Sequence, residues 1–331
     1  MIRNGITIDD TFAEAFGMRA TGLIITADSA RWALQAATTM TGFGTSVIGC
    51  GVEAGIDCLL SPRQTPDGRP GVRVLLFGFT DADLQKHLQN RVGQCVLTSP
   101  GSACYAGLDG EVQLKVGDIL RYFGDGWQIS KRFGGKHYWR IPVMDGEFVC
   151  EGTTGAVGTS VGGGNLLLLG RNARHTLRAA EAAVAAMQKV PDIIMPFPGG
   201  IVRSGSKVGS KYKTMFASTN DAYCPTLKGA VASALDPATR CVLEIVIDGL
   251  TSDSVATGMR AGIAAVVALG PDKGVQRIGA GNYGGKLGAF HYHLRDLLPE
   301  PLSPPGHTHL GTQRDTNVGA HLDTKAGAPK S

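Results

Sequence analysis

The chain has no unbroken apolar run of about 18 residues, the length that a membrane-spanning helix requires. Its first residues, MIRNGITIDDTFAEAF, hold no apolar core of a secretory leader. The expectation is therefore a cytoplasmic protein without a membrane partner. No C-x-x-C pair occurs among its seven cysteines, so neither a zinc site nor thioredoxin-type redox chemistry is indicated. Reduced thiols serving as small buried fillers account for them. No G-x-x-x-x-G-K-[ST] element occurs, which argues against a nucleoside triphosphatase. The charge balance is mild, 32 Lys and Arg against 28 Asp and Glu, and no basic stripe interleaved with aromatics accompanies it. Nucleic acid is not an expected partner.

Glycine is abundant, at 47 of 331 residues. The densest stretch is 198–226, PGGIVRSGSKVGSKYKTMFASTNDAYCPT. It sets Gly199, Gly200, Gly205 and Gly209 beside Arg203, Lys207, Lys211 and Lys213, then closes on Ser218, Thr219, Asn220 and Asp221. Glycine permits positive φ and close backbone approach, and lysine adds a mobile cationic donor. Such a segment builds neither a core strand nor an amphipathic helix. It reads as a loop cradling a polar, anionic ligand, against the alternative of a solvated surface loop. Tyr223 and Cys224, which a solvated loop does not need, favour the first.

An approximate repeat organises the chain. In the first half, GLIIT at 22–26 predicts a strand, followed by a helix seeded at Asp28 and Ser29 and a strand TSVIG at 45–49. After a turn at Pro66-Asp67-Gly68 come a strand VRVLLF at 72–77, a helix capped at Thr80, and a strand CVLT at 95–98. The second half predicts a strand at 165–169, an alanine-rich helix over 175–189, and strands beginning at 192 and spanning 241–247. A helix over 251–269 and a strand at 275–279 complete it. Each half thus reads β-α-β-β-α-β, and the expected fold class is α+β. Two pseudo-duplicated ferredoxin-like lobes are expected, with antiparallel-dominated sheets flanked by helices. The expected boundaries are 1–160, including a β-hairpin insertion over about 108–160, then 161–298, then a disordered proline- and glycine-rich tail at 299–331. Its His307 and His309 read as solvated rather than metal-binding.

Glu244 interrupts an otherwise apolar strand, CVLEIVIDGL, on one face with Val242 and Val246. It either faces solvent on an open sheet face or lines a cavity as a carboxyl of raised pKa, able to exchange a proton near neutrality. Two further glycine-rich stretches, GAGNYGGKLG at 279–288 and TSVGGGN at 159–165, read as loops. Neither matches a dinucleotide fingerprint. Cys224 and Cys95 are conceivable nucleophiles, but no histidine lies near either in sequence. His291 and His293 read as packing on an edge strand.

These segments together resemble a known family. TIDDTFAEAF, TGFGTSVIGC, QTPDGRPG and NRVGQCVLTSP in the first half carry the resemblance, as do FPGGIVRSGSKVGSK, STNDAYCPT, CVLEIVIDGL and AGNYGGKLG in the second. The family is formylmethanofuran:tetrahydromethanopterin formyltransferase, and the likeness runs from about residue 4 to 298. It implies reversible formyl transfer between the amine of methanofuran and N5 of tetrahydromethanopterin, with no metal and no permanently bound cofactor. It also implies a homotetramer with substrates at a subunit interface. The family's catalytic carboxylate carries over to Glu244. The substrate-binding set carries over to Gly199, Gly200, Ser204, Ser206, Lys207, Lys211, Ser218, Thr219, Asn220 and Asp221. Archaeal members are acidic, whereas this chain has a pI near 8.7. That departure and the tail resemble members from methylotrophic bacteria, which work within a larger formyltransferase/hydrolase complex. Rival classes are a non-catalytic carrier-binding or scaffold protein of such a complex and a cysteine hydrolase of formyl amides.

Overall fold

Two unusually long strands cross at the centre of the molecule, Phe12–Thr26 (β1) and Thr153–Gly170 (β5). The computed structural model describes residues 1–298; the expectations for 299–331, its tail histidines included, lie outside the described residues. After β1 come helix α1 (Ala30–Thr41), strands β2 (Glu53–Leu60) and β3 (Gly71–Gly78), helix α2 (Asp81–Arg91) and strand β4 (Ala103–Ala106). After β5 come helix α3 (Ala173–Met187), strand β6 (Ile193–Ile194), strand β7 (Cys241–Gly249), helix α4 (Ser252–Lys273) and strand β8 (Arg277–Gly279). The first set pairs in the order β2-β3-β1-β4, antiparallel throughout. The second pairs in the order β6-β7-β5-β8, again antiparallel.

Local chemistry starts each helix. The Ser29 hydroxyl accepts from the Trp32 amide, the Thr80 hydroxyl from Asp83, and the Asn172 carbonyl oxygen from His175. Thr251 and Ser254 form a reciprocal capping box for α4. Helix α4 is apolar enough and long enough to cross a membrane by composition, but its apolar face is spent on the core. Val255, Met259, Ile263 and Val266 are fully buried with Leu166, Leu168, Ile245 and Ile247 of the sheet. A second core gathers Ala33, Ala37 and Met40 of α1 and Leu84 and Leu88 of α2 against β1 and β3.

Three expectations differ in the structure. Residues 45–49, apolar enough for a strand, contain the start of a helical turn at Val47–Cys50, because Ser46 caps it and Gly51 ends it at φ 77°. Residues 95–98 are not a strand either. Leu84, Leu88, Val92 and Val96 recur every fourth residue, and the buried stripe carries α2 on into a wider helical turn, Val92–Val96. The stretch 159–165 is no loop but the middle of β5, bent where its register shifts at its glycines. The short strands at 22–26 and 165–169 are likewise the ends of β1 and β5.

Within the expected insertion, hairpins occupy 129–151, whereas its last residues, from 153 on, belong to β5. Lys136–Val143 pairs antiparallel with Ile129–Phe133 and with Gly146–Glu151, and the last pairs with β4. β1 and β5 pair antiparallel, Ala156 opposite Thr21 and Gly162 opposite Phe16, joining the two sets of strands into one sheet. Thr21 Oγ1 donates to Gly155 O at 2.8 Å and Thr154 Oγ1 to Gly22 O at 2.7 Å across this seam. Charged groups seal it nearby: Arg73 donates to Asp57 at 2.9 Å and to Asp192 at 2.6 Å. Buried Glu53 and Asp248 meet carboxyl to carboxyl; burial, then mutual repulsion, pushes Asp248 well above the usual range, so the pair holds a proton.

Gly155 offers a test of the seam. A Cβ there would strike the backbone of Gly110 and Asp109, which has no side chain to swing aside. Gly155→Ala should destabilise the protein by about 1–3 kcal/mol, read as a lowered melting temperature.

Candidate active site

Residues 198–204 are folded back onto β7 by two glycines. Gly199 and Gly200 take φ of 63° and 77°, and Gly200 packs where a Cβ would touch Val184. The turn aims Val202 at Glu244: the Val202 amide donates to Glu244 O at 2.7 Å and the Glu244 amide to Val202 O at 2.9 Å. Beyond it, Lys207–Val208 and Ala217–Ser218 form a small hairpin. The chain then returns through Thr219, Asn220, Tyr223 and Cys224 to face β7.

Between these segments lies a cavity of about 370 Å³. Its floor is Glu244 with Leu167 and Val242, and its walls are Val202, Ser204, Gly205, Thr219, Asn220, Tyr223 and Cys224. The Glu244 side chain makes no hydrogen bond among the described residues. Burial alone pushes its carboxyl up to about 7. A carboxyl so placed holds or releases a proton at neutral pH.

The structure brings Glu244, Ser204, Thr219 and Asn220 together around this cavity. Gly199 and Gly200 serve the turn behind it, and Ser206, Lys207, Lys211, Ser218 and Asp221 do not line it. Lys207 Nζ donates to Asp221 at 2.6 Å, and this charge holds the Asp221 carboxyl below its ordinary range. Ser218 Oγ donates to Gly209 O at 2.7 Å. These three therefore brace the hairpin, and Lys211 stands exposed at its tip. The Cys224 thiol contacts the Thr219 hydroxyl at 3.4 Å and donates to Asn220 O at 3.3 Å. No histidine lines the cavity to activate it. Among the described residues no three His, Cys, Asp or Glu side chains converge as metal ligands.

Family models cover nearly the whole described chain. One, described as formylmethanofuran-tetrahydromethanopterin formyltransferase, matches residues 1–143, and one described as its proximal lobe matches 146–297. The chain belongs to the formylmethanofuran–tetrahydromethanopterin formyltransferase family. It is 60% identical over 302 residues to the family member of Methylobacillus flagellatus, covering 90% of this chain and all of the relative. It is 59% identical to one component of the formyltransferase/hydrolase complex of Methylorubrum extorquens, covering 91% of this chain and 98% of that one. The crystal structure of that organism's formyltransferase/hydrolase complex with methylofuran superposes at a TM-score of 0.89, covering 91% of this chain and 99% of the solved one. The Methanosarcina barkeri formyltransferase superposes at 0.85 with 45% identity, covering 90% of this chain and all of that one. The large mixed sheet with its helices is thus the fold of this formyltransferase family.

Sequence reasoning passed over two parts of the site region. Arg203 also lines the cavity, a residue noted only as part of the basic cluster. Glu14 is buried, and its carboxylate accepts four backbone N–H groups of the glycine loop: Tyr283 at 2.6 Å, Gly285 at 2.8 Å, Leu287 at 2.7 Å and Gly288 at 2.7 Å. Burial opposes its ionisation, but the four donors prevail and hold its carboxyl at about 2. A carboxyl depressed from 4.5 to about 2 contributes stability that is complete above pH 4.5 and lost as pH falls toward 2. Glu14→Gln should therefore lower the melting temperature at pH 7 and flatten its fall between those two values.

Proposed function

We propose that this chain transfers a formyl group reversibly from formylmethanofuran to N5 of tetrahydromethanopterin, by direct attack in a ternary complex with both carriers at the Glu244 cavity. The acceptor nitrogen forms a bond to the formyl carbon, and the carbonyl π electrons pass to oxygen. Glu244 takes the proton from the attacking nitrogen as carboxylate, then gives it to the donor nitrogen as the old C–N bond breaks. Holding both carriers in one cleft converts a bimolecular step into a local one, which contributes roughly 7–11 kcal/mol. The observation that carries this reading is the Glu244 carboxyl, without a hydrogen-bond partner among the described residues, at the floor of a cavity, where burial raises its proton affinity. Ser204, Thr219 and Asn220 bind the carriers around it, while Gly199, Gly200, Ser206, Lys207, Ser218 and Asp221 shape and hold the binding loop. Lys211 meets an anionic carrier tail. No cofactor other than the two carriers takes part.

The two sets of strands, each in the order of a split β-α-β unit, support reading the chain as two ferredoxin-like lobes, residues 1–160 and 161–298, related by duplication. The protein works in the cytoplasm as a homotetramer. Its likeness to a component of the Methylorubrum extorquens formyltransferase/hydrolase complex supports association with further proteins.

Glu244→Gln keeps the shape of the side chain and removes its proton exchange. It should lower kcat by about 10²–10⁴-fold in a formyl-transfer assay. In the unsubstituted enzyme, the rate should change through an apparent pKa near 7 that the variant lacks. An unchanged kcat removes Glu244 from the chemistry. Cys224→Ser should retain transfer within about threefold and release no formate. Loss of turnover there would favour a cysteine hydrolase, since an activated thiol is then the reacting group.

A further inference from the structure

The loop 279–288, GAGNYGGKLG, has no part in the reaction described above, yet three side chains, Asn165, Asn282 and Glu14, tie it to the sheet. Asn165 fixes its start: the Gly281 amide donates to Asn165 Oδ1 at 2.6 Å, and Asn165 Nδ2 donates to Gly281 O at 3.1 Å. Asn282 Nδ2 donates to the Thr11 hydroxyl and to Phe12 O, each at 3.1 Å. Glu14 gathers four amides of its second half. Amid these anchors Tyr283 stands apart. Its ring lies against Phe16, with centroids 6.1 Å apart, and its hydroxyl has no hydrogen-bond partner among the described residues.

The sheet register starts this loop beside the cavity, although none of its residues is part of the cavity lining. Leu167 of β5 is opposite Glu244 of β7 on one side and Gly279 of β8 on the other, so the three lie in one row across the sheet. Asn165, two residues before Leu167, shares that face and pins Gly281 above it. The loop that begins at Gly279 therefore runs over the same face that carries Glu244. Tyr283 is 39% exposed, and partial burial first and the neighbouring Glu244 charge second raise its phenol above the ordinary value.

We propose that Tyr283 is a further catalytic residue, its hydroxyl donating a hydrogen bond to the formyl oxygen as that oxygen takes up negative charge, with Glu14 as the positioning residue that holds its loop in place. No bond to Tyr283 is made or broken; it remains a neutral donor throughout. The assignment rests on the reading that transfer takes place at the Glu244 cavity. A preorganised donor at a developing oxyanion acts on the transition state more than on the bound ground state.

The test is a double-mutant cycle of Tyr283→Phe and Glu244→Gln in the full-length protein, with kcat, KM and melting temperature measured for each. Tyr283→Phe should lower kcat by about 10²-fold, the scale of one lost oxyanion donor, with KM changed less than about threefold and the melting temperature unmoved. Because both side chains serve one reacting centre, the double variant should be far faster than the product of the single losses predicts. A kcat within about twofold of the parent for Tyr283→Phe, or losses that multiply in full, would overturn the proposal. A slowed Tyr283→Phe enzyme beside an unimpaired Glu244→Gln enzyme removes Glu244 and supports Tyr283. The reverse pattern supports Glu244 and overturns Tyr283. Glu14→Gln should reproduce the loss in kcat in part and also lower the melting temperature, which distinguishes positioning from contact with the reacting atoms.

Discussion

The antiparallel pairing of Phe12–Thr26 with Thr153–Gly170 is the constraint on which the rest of the molecule depends. Each strand is long enough to serve in two places. One end of Phe12–Thr26 pairs with Gly71–Gly78 and Ala103–Ala106 in the first half. The far end of Thr153–Gly170 pairs with Cys241–Gly249 and Arg277–Gly279 in the second. Their overlap is reinforced by threonine and serine hydroxyls that donate to carbonyls of the opposite strand, including Ser160 to Met18 at 2.6 Å. Without that overlap there would be two small sheets with no fixed relation. With it, Glu14 at the start of the chain reaches a loop about 270 residues later.

Carboxyl groups show how position divides one chemistry into several. Glu14 is buried, but four amide donors stabilise its anion and its affinity for a proton falls to about 2. Glu53 and Asp248 are buried against each other, and there the cheapest arrangement is to keep a proton between them. Among the described residues Glu244 has neither donors nor a partner, only burial, and settles near 7. The first two are devices of the fold. The third is poised between its two forms at the floor of a cavity.

Much of this was legible in the sequence wherever the causes are local. Ser29 and Thr80 announce their helices through bonds spanning three residues, and an acid inside CVLEIVIDGL is conspicuous at any distance. The reading fails where local pattern and tertiary packing disagree. TSVIG has strand composition, but Ser46 and Gly51 close a helical turn around its end. CVLT is β-branched enough for a strand, but the fourfold spacing of Leu84, Leu88, Val92 and Val96 extends the buried stripe of the preceding helix. Long-range pairings leave no trace in a single chain. Nothing near Val202 marks it as the backbone partner of Glu244, and nothing near Tyr283 marks Glu14 as its anchor. The same limit hides from the sequence that Lys207 and Asp221 pair with each other.

That last pairing changes how the basic loop acts at a distance. Lys207 is neutralised by Asp221, and Lys228 is consumed by three backbone carbonyls, of Asp236, Pro237 and Thr239. Arg203, Lys211 and Lys213 have no ion-pair partner among the described residues, and all three are exposed. The uncompensated positive charge thus lies at Arg203 in the cavity wall and at Lys211 and Lys213 on the hairpin. In physiological salt the reach of each charge is about 8 Å, so the hairpin lysines act on the approach of an anion, whereas Arg203 acts within the cavity as well. Under the proposed function, ionic strength would tune how often an anionic carrier arrives at the hairpin, and the Glu244 carboxyl would govern the proton transfer that follows.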